Sequence, residues 1–67
     1  MNKYLKNPDH YIAKRIHLIK MGEDPNPIEP DTEGTIHGIG RLGDIEVTWD
    51  NGRILSLIPH LDEFIIL

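Results

Sequence analysis

The side chains able to do chemistry in this sequence are few and spread out. Histidines stand at His10, His17, His37 and His60, and there is no cysteine. A zinc site needs histidines one helical turn apart or neighbouring thiolates, and neither spacing occurs, so no metal set is expected. Ser56 has no recognisable base near it in sequence. The carboxylates Asp44, Glu46, Asp50, Asp62 and Glu63 could form an acid–base pair only if the fold brought two together, and no spacing selects two. Glycine-rich phosphate loops, nucleophile elbows and the H-E-x-x-H pattern are all missing. The chain therefore points away from an enzyme, and no cofactor is implied.

Recognition remains. Arg53 follows a turn that starts beside Trp49, which sets a planar donor fork next to an aromatic rim, a pairing suited to an anion or nucleotide. Tyr11, Lys14 and Arg15 offer a second combination of that kind, and Arg41 adds a cation in a turn. Tyr11, Arg15, Arg41, Trp49 and Arg53 are thus the candidate ligand-binding residues. Each has a purely structural alternative: Trp49 can face the core with its indole N–H satisfied at the rim, and Arg53 can pair with Asp50 or Glu46.

The elements that must position these residues are short strands. Residues 15–21 are rich in aliphatic and β-branched side chains, with Ile16, Leu18 and Lys20 on one face and His17, Ile19 and Met21 on the other. Residues 22–31 carry three prolines and form a loop, long enough to fold back over one end of the core through Ile28. A second strand at 33–40 places Ile36 and Ile39 inward, a spacing that needs a glycine-assisted bulge. The cleanest alternation lies at 44–49, with Ile45, Val47 and Trp49 inward. Asn51-Gly52 then predicts a two-residue type I′ hairpin into a strand at 53–58, ended by Pro59. Residues 63–67 form a last strand too apolar to stand alone. Residues 1–14, with the Asn7-Pro8-Asp9 turn signal, read as an arm or short helical turn, and 15–67 as one small all-β barrel of five strands.

Sixty-seven residues with 39% hydrophobic side chains make a marginal core, without disulfide or thiolate metal to brace it. Apolar residues nevertheless occur on both faces of the first, fourth and last strands. Ile19, Met21, Ile54, Ile58, Phe64, Ile65, Ile66 and Leu67 exceed what one small barrel can bury, and are the candidate interface residues. The net charge of -4 is unevenly spread. Lys3, Lys6, Lys14, Arg15 and Lys20 face only Asp9 in the first twenty residues, whereas the remainder sets Arg41 and Arg53 against ten acids. That polarity suits a basic segment lying on an acidic body, or head-to-tail contact between subunits.

The runs Gly34-Thr35-Ile36, Gly43 to Arg53 with its W-D-N-G, and Leu55-Ser56-Leu57-Ile58-Pro59 resemble those of an SH3-like barrel. Together with residues 15–21, the proline loop and Asp62-Glu63-Phe64, they resemble the small family of bacteria, phages and mobile elements catalogued as domain of unknown function 4314. The resemblance spans roughly residues 15–65 and implies an SH3-like barrel without established catalytic residues. It carries the expectation of a phage- or mobile-element-encoded binding module that acts through protein contacts and self-association. Homo-oligomers and a host protein are the partners expected. The alternative is an oligomeric sponge that sequesters a nucleotide-type immune signal at subunit junctions, through Arg15, Arg41 or Arg53 with Tyr11 or Trp49. Nucleic-acid binding is disfavoured by the acidic balance and the four aromatic residues. The polar start, broken by Pro8, and the lack of an apolar run of ~18 residues give the expectation of a cytoplasmic chain without membrane contact.

Overall fold

The computed structural model describes residues 10–67 as an open antiparallel sheet. Its strands are β1 (Arg15–Lys20), β2 (Glu33–Ile39), β3 (Ile45–Trp49) and β4 (Glu63–Ile66), in the order β3-β2-β1-β4. The expected closed barrel of five strands is thereby corrected to four strands in a sheet that does not close. Residues 1–9 of the expected arm lie outside the described residues, while 11–14 form a turn in which the Lys14 N–H donates to the Tyr11 carbonyl at 3.1 Å. The Ala13 N–H then reaches the Ile36 carbonyl at 2.7 Å, extending the β1–β2 pairing backwards.

Alternation decides which side chains enter the core. Ile16 and Leu18 of β1, Ile36 of β2, and Ile45, Val47 and Trp49 of β3 all turn to one side and are buried. Gly34 of β2 lies opposite Trp49 of β3. A Cβ there would come within 2.7 Å of Val47 Cγ1 and 2.8 Å of the Thr48 carbonyl oxygen, so no side chain fits. The bulge expected from the uneven Ile36–Ile39 spacing appears as a register shift between Ile36 and Gly38.

Two departures have local causes. The pairing of β1 with β4 shifts register between Leu18 and Lys20, and alternation is lost there. Met21, beyond the strand end, turns into the core with 6% exposure, and its sulfur accepts the Ile28 N–H at 3.5 Å. Met21 is therefore a core residue and not an interface residue. The hairpin after β3 closes between the Trp49 N–H and the Arg53 carbonyl at 2.8 Å, leaving Asp50, Asn51 and Gly52 in the loop. Only Gly52 has positive φ, at 91°, so this is a three-residue loop and not a type I′ turn. Asn51 uses its side chain to accept the Arg53 N–H at 3.0 Å instead of adopting a left-handed backbone.

Residues 53–58 run beside β3 but touch it through isolated bridges, Ile45 with Leu57 and Thr48 with Ile54. The interruption comes from Trp49, whose indole N–H donates to the Leu55 carbonyl at 3.0 Å and turns that carbonyl away from the ladder. The proline loop folds back as its composition suggests, burying Ile28 against the core at 1% exposure. Its start and its middle are held by polar side chains. Asp62, itself buried, accepts the Gly22 N–H at 2.6 Å and the Ile58 N–H at 2.7 Å. Arg53 donates to the carbonyls of Pro27 at 3.2 Å and Asn26 at 2.8 Å.

Asp62→Ala removes the acceptor of two part-buried amide hydrogens and is expected to lower stability by about 1–3 kcal/mol, at about 0.5–1.5 kcal/mol for each hydrogen bond lost. Urea unfolding monitored by Trp49 fluorescence measures this. An unchanged midpoint would remove Asp62 from its role as the clasp between the two loops.

Candidate functional site

The outward positions of the sheet carry a charged lattice. Arg15 of β1 lies opposite Thr35 of β2, and His17 lies opposite Glu33. The Arg15 guanidinium donates to both Asp50 oxygens, one at 2.9 Å, and to the Thr35 hydroxyl at 3.0 Å, with Glu33 at 3.6 Å. The hydrogen bonds to Arg15 hold the Asp50 carboxyl below its ordinary value, and Asp50 in turn raises Arg15. His17 lies between two carboxylates, with Nδ1 3.0 Å from Glu33 and Nε2 3.1 Å from Asp31. Glu33 first and Asp31 second raise its pKa above the ordinary histidine value. His37 completes the row, 3.0 Å from the Thr48 hydroxyl and 3.9 Å from Glu46. Sequence spacing leaves these histidines scattered. The antiparallel register of β1 and β2 sets His17 beside Glu33, and His37 meets Thr48 and Glu46 of β3.

The five candidate ligand residues do not meet in one place. Trp49 is 1% exposed with its N–H satisfied by Leu55, which takes the structural alternative and leaves no open ring face for a ligand. Arg15 is held by the lattice, and Arg53 clamps the proline loop. Arg41 lies in a hollow with Leu42, Asp44 and Glu46, and Tyr11 in another beside β4.

The apolar candidates divide between two surfaces. Ile54 and Ile58, 70% and 40% exposed, line a groove of about 740 Å³ with Leu42, Leu55 and Pro59. Leu42 is 94% exposed, an apolar side chain at the tip of the β2–β3 turn that a turn assignment passes over. Asp24, Asp44, Ser56 and His60 supply the polar part of the lining. The second hollow, about 510 Å³, lies along the terminal strand β4 and is lined by Phe64, Ile65, Ile66 and Leu67 with His10, Tyr11 and Lys14. Ile65 and Leu67 are exposed there, whereas Phe64 and Ile66 pack partly against the core. Ile19 is exposed and lines neither surface.

These features define a small β-rich domain in which Arg15, Arg53, Asp62 and the Trp49 indole hold the structure, and in which Leu42, Ile54, Ile58, Ile65 and Leu67 expose apolar side chains in two places. The chain matches the family described as Domain of unknown function (DUF4314) over residues 5–67, and it belongs to that family. No curated protein and no solved structure matches it.

A histidine whose folded pKa is raised contributes stability that is present below its unfolded value of about 6.5 and is lost as pH rises through the folded value. Proton NMR of the His17 ring is expected to give a midpoint above the ordinary histidine value, and Glu33→Gln should lower it. The same substitution should also shrink the fall in urea midpoint between about pH 6 and about pH 9. A His17 midpoint at the ordinary value, unmoved by Glu33→Gln, would contradict the geometry.

Proposed function

We propose that this chain is a non-enzymatic interaction module, built on an SH3-like barrel plan, that acts through protein contacts and associates with itself. Support for the barrel plan comes from chain order. Residues 53–58 lie beside β3, a turn at 59–61 follows, and β4 returns to pair with β1, which gives the strand neighbours of such a barrel with one strand reduced to bridges.

The observation that carries the binding reading is the groove. Leu42, Ile54 and Ile58 come from two separated stretches of chain and expose their side chains around a single concavity. A contiguous apolar surface of that kind on so small a domain marks an interaction site. Its lining contains no lysine or arginine, which directs it towards a protein surface and away from a phosphate-bearing ligand.

Light scattering on a sizing column is expected to give a mass above the 7.7 kDa of one chain at tens of micromolar. Leu42→Asp, at a position 94% exposed, should return the mass to that of one chain without loss of folding. A wild-type mass of 7.7 kDa throughout would contradict self-association.

A further inference from the structure

The two apolar surfaces belong to opposite edges of the sheet. The groove is built on residues 53–58, which lie outside β3, and the second hollow follows β4, the strand at the far edge. Their linings share no residue. They also differ in sign. The groove has two carboxylates, Asp24 and Asp44, and the β4 surface has the ammonium of Lys14 with His10 beside it. Among the described residues none of Asp24, Asp44 and Lys14 enters an ion pair within the chain.

We propose that copies of this chain join head to tail, the Ile65–Leu67 surface of one copy seating in the Leu42, Ile54 and Ile58 groove of the next. The inference rests on the self-association reading and adds its geometry. Ile65 and Leu67 are 52% and 60% exposed, and supply apolar side chains to cover those that the groove exposes. Lys14 then meets Asp24 and Asp44 at the rim, where opposite signs fix orientation more than they add affinity.

A two-fold contact of either surface with itself has no such match. Groove on groove brings together two sets of carboxylates whose linings hold no lysine or arginine, and the β4 surface on itself brings together two lysines. Arg41 lies outside the groove lining, in the neighbouring hollow with Asp44 and Glu46. A heterologous contact also leaves one free groove and one free β4 surface after each junction, so growth ends in a closed ring or continues as a filament, according to the rotation between copies.

Two variants separate these arrangements. Ile54→Asp removes the groove and Ile65→Asp removes the β4 surface, and both sites are exposed, so amide NMR spectra should show each variant folded. Each alone is expected to be a monomer, and an equimolar mixture should form a one-to-one pair, since one intact groove and one intact β4 surface remain. Charge reversal gives an independent check: Lys14→Glu and Asp44→Lys should each weaken association at low salt, and the doubly reversed chain should recover it.

Self-association by Ile65→Asp alone would show a two-fold groove contact and overturn the proposal while leaving the binding module standing. Absence of a pair in the mixture, or failure of the doubly reversed chain to recover, would overturn it as well. A monomeric wild type would overturn both the proposal and the self-association it rests on.

Discussion

A sheet of four short strands encloses very little volume, and most of what distinguishes this molecule follows from that constraint. Among the described residues nine apolar side chains are buried, and Trp49 is the largest of them. With so small an interior, contributions from outside the strands matter. Ile28 is drawn in from the proline loop and Met21 from beyond the end of β1, and Gly34 allows β2 and β3 to approach without a side chain between them. The same constraint leaves Leu42, Ile54, Ile58, Ile65 and Leu67 outside. Their exposure is the remainder of a core too small to take them, and it supplies the surfaces available for contact.

Polar side chains do in this fold what a closed ladder does in a full barrel. Asp62 joins the start of the proline loop to the end of the 53–58 segment through two backbone amides. Arg53 joins the hairpin to the middle of that loop, and the Trp49 indole ties β3 to Leu55. On the outer face Arg15 links β1 to β2 and to Asp50 in the hairpin loop. Arg15, Arg53 and the Trp49 indole, three of the groups that could have met a ligand, are thereby committed to structure. That division of labour separates Arg15, Trp49 and Arg53 from one another, while the apolar surfaces remain open.

Much of the fold was legible in the sequence because period-two alternation is enforced by burial on one face. Ile45, Val47 and Trp49 lie inward as their spacing requires, and Ile28 covers the core as a buried residue in a proline loop should. What was not legible depends on contacts between distant residues. Met21 changes face because of a register shift against β4, and Arg53 leaves Trp49 because two loop carbonyls compete for its guanidinium. The Asn-Gly pair sets a turn but not its length, which follows from the Asn51 side chain capturing the Arg53 N–H. Of the site, Ile54, Ile58, Ile65 and Leu67 were visible as surplus apolar residues. Leu42 was hidden in a turn, and the acidic rim at Asp24 and Asp44 required the folded chain.

The central claim is that the apolar residues left outside this small core are where copies of the chain meet. Amide hydrogen exchange followed across a dilution series tests it most directly, because it reads each surface separately in the unmodified protein. Protection at 54–58 and at 65–67 should rise together with concentration, while the amides of Ile36 and Val47 in the sheet centre stay unchanged. Exchange independent of concentration at both surfaces, or protection gained only around Glu33 and Thr35 of β2 on the charged face, would contradict the account.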